Sequence, residues 1–154
     1  AVLFLLGLRW EAVAAMFAAL GPVVGSLIKL IVARPRPSAD VVHVLRRLDT
    51  LSFPSGHVLL ATAFYGFLAF LSYALLKPGW LRTILLVIFG VFIALMGPSR
   101  IYLGQHWFSD VMGAYVLGSL WLALSVRVYR WGKLRFFLDQ PVAAEKPPPS
   151  AGGR

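Results

Sequence analysis

The sequence contains no cysteine in 154 residues, only six acidic side chains and only three histidines. The first absence excludes a disulfide framework, a thiolate metal site and a thiol nucleophile. Six carboxylates against fifteen lysines and arginines leave a formal charge of +9, which raises nucleic acid as a partner. The charges fall between apolar runs, however, and line no amphipathic or aromatic-interleaved surface of the kind nucleic-acid readers need. Nucleic acid is therefore set aside in favour of lipid headgroups or phosphate esters. The chain opens at Ala1 in an apolar run, AVLFLLGL, without an initiator Met or a basic segment and cleavage site, so it does not read as a signal peptide. Residues 1–8 are expected to be the end of an earlier helix, with a re-entrant or interfacial piece as the alternative. No internal repeat is visible.

What the sequence has in excess is apolar mass: 59 % of residues are hydrophobic and 14 % charged, with a mean hydropathy of +0.78. That balance belongs to a bilayer protein. A span needs about 20 residues, so this length holds four crossings. The expected fold is an all-α, polytopic transmembrane helical bundle, with four full spans plus a partial N-terminal helix. Span one runs from about Trp10 to Ala33 with a kink at Pro22, and ARPRPSAD ends it because Pro35 and Pro37 disfavour helical geometry at Arg34 and Arg36. Residues 38–56 form a connection in which VVHVL can make an interfacial turn. Span two follows His57 to Leu76, where KPG marks a turn. Span three covers about Leu81 to Met96 and breaks at Gly97-Pro98-Ser99. Span four starts at His106 or Trp107 and ends at Val126 or Val128. Residues 1–138 read as one membrane domain, and residues 139–154, with their PPP, as a disordered tail or an appended segment.

Four spans divide the cations between two faces. Arg9, Lys77, Arg82, Arg127, Arg130, Lys133 and Arg135 lie on one face; Lys29, Arg34, Arg36, Arg46, Arg47 and Arg100 lie on the other. Seven against six decides nothing. Setting Lys29, Arg36 and Arg100 aside for a ligand leaves three, which assigns the first group to the cytoplasm by the positive-inside rule. The second face then points away from the cytoplasm.

That second face also collects Ser55, His57, Ser99, His106 and Asp110. Lys29 reads either as a snorkelling lysine or as an anion ligand, and Arg100 either as a headgroup contact or as a fork for phosphate oxygens. His106 and Asp110 are four apart and share a helix face, so Asp110 can accept the proton on one imidazole nitrogen and leave the other as nucleophile or base. A purely structural pair is the alternative. In PSGH, Pro54 to His57, the Ser55 hydroxyl can cap the helix or bond an anion, Gly56 permits close approach, and the free amides of the following span point at negative charge. Together these pieces describe phosphoryl transfer without a dedicated metal or other cofactor. Lys29, Arg36, Ser55, Gly56 and Arg100 would neutralise the phosphate oxygens. His106 would attack phosphorus, backed by Asp110, and His57 would protonate the leaving group and then deprotonate water. Two histidines and an aspartate could instead hold a metal, but three surrounding cations would oppose a dication.

At these residues the chain resembles the type 2 phosphatidic acid phosphatase superfamily, which includes undecaprenyl-diphosphate phosphatases and vanadium haloperoxidases. KLIVARPRP (Lys29–Pro37) matches its first motif, PSGH its second, and SRIYLGQHWFSD (Ser99–Asp110) its third. The resemblance covers about Trp10 to Val128 and implies a phosphate pocket and acid at Lys29, Arg36, Ser55, Gly56, His57 and Arg100, with His106 and Asp110 as the nucleophile pair. Arg34 is outside the signature and is expected only to flank the pocket or to meet a headgroup. The resemblance further implies a six-span fold, of which two spans would precede this chain, and a site on the extracytoplasmic face of a bacterial inner membrane.

The leading expectation is an integral-membrane hydrolase that releases inorganic phosphate from a lipid phosphate monoester or prenyl diphosphate through a phosphohistidine. Its partners would be that lipid and the bilayer. A lipid phosphotransferase, a vanadate-dependent peroxidase and a non-enzymatic lipid-phosphate binder are the alternatives. Substrate choice and oligomeric state are not written in these motifs.

Overall fold

A computed structural model describes residues 2–5, 7–38, 40, 44 and 50–136. They form α1 (Val2–Leu5), α2 (Arg9–Ala19), α3 (Gly21–Val32), α4 (Gly56–Leu60), a π-helical stretch (Ala61–Tyr65), α5 (Gly66–Leu75), α6 (Trp80–Tyr102) and α7 (Phe108–Phe136). Among the described residues four units are long and apolar enough to cross a membrane: Arg9–Val32, Gly56–Leu75, Trp80–Tyr102 and Phe108–Arg135. The protein is an all-α integral membrane protein. Of the partial helix expected at the N-terminus, the described residues contain the four-residue α1, and they do not extend the count of spans beyond four. Residues 41–43 and 45 of the VVHVL turn, Arg46, Arg47 and the tail 139–154 lie outside the described residues.

The kink expected at Pro22 is a break two residues earlier, at Leu20 between α2 and α3. Pro22 has no N–H to give back along the helix, and the chain closes the gap locally, with Leu20 N–H donating to Phe17 O at 3.1 Å and Val23 N–H to Leu20 O at 2.9 Å. The Trp121 indole N–H supplies a further donor to Phe17 O, 3.2 Å away, and its ring stacks on Phe17. A neighbouring helix thus supports a carbonyl at the break, while Ala18 O, which Pro22 cannot reach, is met by Leu20 N–H.

The third span departs from expectation: Gly97-Pro98-Ser99 does not end it, and α6 runs 23 residues to Tyr102. The reason lies in α7. Tyr115 Oη accepts from Gly97 N–H at 3.1 Å and sits 2.8 Å from Ile93 O, to which it donates, with Ala94 O at 3.3 Å. Ala94 O is the carbonyl that an ordinary residue at 98 would have bonded. One hydroxyl therefore repairs the ladder around the proline, and the turn is displaced to Leu103 and Gly104, whose φ of +66° suits glycine. Span four is also longer than expected, continuing as helix through RVYRWGKLR to Phe136. Arg130 and Lys133 fit a helix because their side chains lie along apolar surface, Arg130 over the Phe70 ring and Lys133 over the Tyr129 ring.

Two apolar clusters hold the spans together. Ala14, Ala15 and Ala18 of α2 pack with Phe67, Leu71 and Tyr129, small side chains allowing close helix approach. Val58 and Leu59 of α4 pack with Val111 and Ala114 of α7, directly beneath the residues of the second and third motifs. Gly118 lies so close to the π-helical stretch that an added Cβ would come within 2.7 Å of Thr62 Cβ. Thr62 in turn bonds Val58 O through its hydroxyl at 2.8 Å. At the opposite membrane face Glu11, 4 % exposed, accepts from Lys133 at 2.7 Å and from Tyr129 at 3.0 Å, tying α2 to α7.

Candidate active site

Helix α3 ends at Val32 because Ala33 turns into the left-handed region, φ +48°, with its N–H on Lys29 O. Pro35 then keeps Arg34 out of helical geometry. The turn sends Arg34 and Arg36 to different places. Arg36 reaches the 105–106 turn, where Nη1 donates to Gln105 O at 2.6 Å and stands 3.3 Å from His106 Nε2. Its Nε and Nη2 bond Thr50 O and Thr50 Oγ1. Lys29 Nζ, one helical turn before the cap, donates to Leu51 O at 2.8 Å. Arg100, at the end of α6, bonds Ser99 Oγ and, through Nη1, Gln105 Oε1 at 3.3 Å. Gln105 therefore bridges the two guanidinium groups, carbonyl to Arg36 and side chain to Arg100.

The second motif enters from between these groups. Ser55 precedes α4 with its N–H on Asp110 O at 3.2 Å. Of the two uses its position allows, its hydroxyl does not cap the helix; it is fully buried and has no hydrogen-bond partner among the described residues. Its own amide already serves Asp110 O, and burial without a partner is costly for a hydroxyl, so Oγ has hydrogen-bonding capacity to offer an anion. His57 stands exposed at the helix start, under the combined field of Arg100, Arg36 and Lys29.

His106 is 3 % exposed and Asp110 0 %. The helix brings them together as their spacing requires, but Nδ1 lies 3.5 Å from Oδ2 and forms no hydrogen bond among the described residues. The expected Asp–His bond is therefore only an approach of a neutral ring to the carboxylate, because other donors already occupy that carboxylate. Oδ2 accepts from Trp107 N–H at 2.9 Å and from the Ser52 hydroxyl, and Oδ1 accepts from Arg34 Nη1 at 3.0 Å. Burial chiefly, then Arg36 and Lys29, pushes the His106 pKa down to about 4, with Asp110 acting the other way. The ring is thus neutral at physiological pH, the state a nucleophile requires. Burial likewise lowers the Arg36 pKa, opposed by Asp110.

Every residue singled out in the three motifs converges on this membrane face. The motifs did not flag Arg34 as more than a flank, and they missed Ser52, Thr50 and Gln105 altogether. Ser52 carries one faint signal, a hydroxyl two residues before PSGH. Among the described residues no cluster of three or more His, Cys, Asp or Glu is positioned to hold a metal ion.

The profile of the PAP2 superfamily matches residues 10–133. The chain belongs to that superfamily. Among PAP2 relatives, phosphatidylglycerophosphatase B of Bacillus subtilis (strain 168) is 38 % identical over 91 residues, 58 % of this chain and 43 % of that protein. Undecaprenyl-diphosphatase of Sulfolobus acidocaldarius is 34 % identical over 117 residues, 73 % of this chain and 52 % of that protein. The chain thus spans about half the length of the curated relatives it matches. A crystal structure of a transmembrane PAP2 type phosphatidylglycerolphosphate phosphatase from Bacillus subtilis superposes with a TM-score of 0.60 at 28 % identity, covering 88 % of this chain and 73 % of that one. PAP2 membership fits the geometry, since its three motifs are the three segments that meet here.

Proposed function

We propose that this PAP2 chain hydrolyses a membrane lipid phosphate monoester or prenyl diphosphate through a phosphohistidine on His106. One observation carries the reading: neutral, buried His106 has Nε2 3.3 Å from Arg36 Nη1, on the side of the cations, and Asp110 behind Nδ1. The names of the relatives agree with the reaction class, and the apolar spans favour a lipid over a soluble ester.

In the first step the Nε2 lone pair attacks phosphorus in line, and the bond from phosphorus to the lipid oxygen breaks. Protonated His57 gives its proton to that oxygen. Lys29, Arg36, Arg100, the Ser55 hydroxyl and the first-turn amides after Gly56 neutralise the remaining phosphoryl oxygens as charge shifts. Asp110 stabilises the cationic ring of phosphorylated His106. In the second step neutral His57 takes a proton from water, whose oxygen attacks phosphorus; the P–N bond breaks and inorganic phosphate leaves. Each step balances without another reactant, so the reaction as written calls for no metal.

The same reading makes residues 1–138 one catalytic domain and turns the site toward the extracytoplasmic face of a bacterial inner membrane. A cysteine-free chain makes the orientation measurable: a single cysteine introduced at Lys77 should be labelled only from the cytoplasmic side, and labelling from the outside would reverse the topology. Activity is tested with purified protein in detergent on phosphatidic acid, phosphatidylglycerophosphate and undecaprenyl diphosphate, with EDTA present and His106→Ala as control. Phosphate release that survives EDTA and vanishes in His106→Ala is expected. Release that persists in His106→Ala would sink the nucleophile assignment.

A further inference from the structure

We propose that Arg34 and Ser52 form a clamp that positions Asp110 behind His106, so that Arg34 is a positioning residue and not a phosphate ligand. The inference rests on the phosphohistidine reading and adds the part of the site that sets the nucleophile's proton state.

Three cations, Lys29, Arg34 and Arg36, leave one short segment, and composition alone would send all three to the substrate. The geometry separates them. Lys29 and Arg36 act on His106 from the pocket side, whereas Arg34 turns to the carboxylate: Nη1 is 3.0 Å from Asp110 Oδ1 and 2.6 Å from Ser109 Oγ, and its guanidinium lies 5.7 Å from the centre of the Trp107 ring. The Ser52 hydroxyl and the Trp107 amide take the other oxygen. Ser52 N–H also donates to Arg34 O at 2.8 Å, so the two halves of the clamp are tied through the backbone. Asp110 is wholly buried while the Arg34 side chain is 36 % exposed. The pair therefore fixes a carboxylate in the interior from a cation at the rim.

The consequence concerns charge. His106 faces Arg36 and Lys29 on one side and Asp110 on the other, with Arg100 and His57 across the same cluster. At rest Arg34 offsets part of the Asp110 charge, adding to the burial and to the Arg36 and Lys29 field that keep the ring neutral and nucleophilic. Once the ring carries a phosphoryl group it becomes cationic, and the carboxylate 3.5 Å from Nδ1 is already held in place to meet it. Removing Arg34 leaves Asp110 uncompensated, so the affinity of His106 for protons rises. Removing Ser52 frees the carboxylate to rotate.

The test compares wild type with Arg34→Gln, Arg34→Lys and Ser52→Ala, each as the full chain in detergent. One readout is the imidazole titration of His106 by nitrogen NMR, its signal assigned by its loss in His106→Ala. The other is kcat and KM for phosphate release. In Arg34→Gln the His106 titration should move up by about one pH unit, the direction an uncompensated neighbouring carboxylate imposes. Its kcat should fall about 10- to 100-fold, the scale of a misplaced catalytic group, with KM changed less than about 3-fold. Arg34→Lys should restore part of both, and Ser52→Ala should lower kcat at unchanged KM. A rise in KM with kcat preserved would overturn the clamp and make Arg34 a substrate ligand, as would an unmoved His106 titration in Arg34→Gln. Should Arg34→Gln fail to fold, Arg34→Lys and Ser52→Ala decide: both at wild-type kcat would equally overturn the clamp. The NMR titration needs no turnover, so it judges the clamp even if phosphate release in His106→Ala refutes the phosphohistidine.

Discussion

Tyr115→Phe deletes one oxygen and, with it, the repair that lets α6 pass through Pro98. That oxygen serves Gly97 N–H at 3.1 Å and Ile93 O at 2.8 Å, with Ala94 O further off at 3.3 Å. In soluble proteins each buried group left unpaired costs about 1–3 kcal/mol, while side-chain bonds between membrane helices average about 0.6 kcal/mol and reach about 1.7. Two good bonds at the membrane scale give a loss of about 1–3 kcal/mol. The measurement is reversible unfolding in mixed detergent, for wild type, Tyr115→Phe, Pro98→Ala and the double variant. Pro98→Ala returns an N–H to the ladder and leaves the hydroxyl less to repair. The Tyr115→Phe loss should then shrink by at least about 0.5 kcal/mol, the size of coupling expected between groups sharing one network. Because Arg100 sits two residues beyond Pro98, Tyr115→Phe should also raise KM for the phosphorylated lipid. If the single variant unfolds within about 0.3 kcal/mol of wild type, or if the two substitutions are additive, the hydroxyl is not what carries the helix through the proline.

Glu11→Gln should destabilise the bundle by about 1–3 kcal/mol, the range for hydrogen bonds to charged groups, since Lys133 and Tyr129 both bond that carboxylate; kcat and KM of the folded fraction should be unchanged, because the proposed catalytic residues lie at the other end of the spans. Lost activity in folded Glu11→Gln would tie the two faces together. The lowered His106 pKa fixes a pH dependence: the ring is neutral above about 4 and loses its nucleophilic lone pair as pH falls through that value. After correction for substrate ionisation, kcat/KM should hold its acid limb near pH 4, and a limb at the ordinary histidine value would mean that the ring is not buried among cations in the free protein. The same shift makes the folded chain lose stability progressively as pH falls from 6.5 to about 4, where the unfolded imidazole takes a proton that the folded one refuses, and the loss persists below that.

The candidate site was legible in sequence because its residues sit at fixed spacings. Lys29 and Arg36 flank one helix end, PSGH begins another helix, and His106 and Asp110 lie one turn apart. What could not be read was tertiary. Gly97-Pro98-Ser99 carries every local mark of a break, and the group that overrides it is Tyr115, 18 positions away on another helix. Arg34 is the same residue type as Arg36 and two positions from it, yet a left-handed turn at Ala33 and the extended geometry before Pro35 send one to a carboxylate and the other to the pocket. Ser52 and Gln105 act through single hydrogen bonds that no spacing rule encodes. The Asp110–His106 pair shows the converse limit: helical periodicity gives the shared face, but the competing donors that hold the carboxylate 3.5 Å off come from Arg34, Ser52 and the Trp107 amide.

The central claim is a covalent bond between phosphorus and Nε2 of His106. Rapid acid-free quenching of the purified chain with phosphorus-labelled lipid substrate, followed by peptide mapping under alkaline conditions that preserve phosphohistidine, tests it directly. The label should appear on the peptide containing His106, accumulate in His57→Ala, where water attack is slowed, and be absent from His106→Ala. Turnover with no labelled protein at any quench time, or label on the His57 peptide, would contradict it.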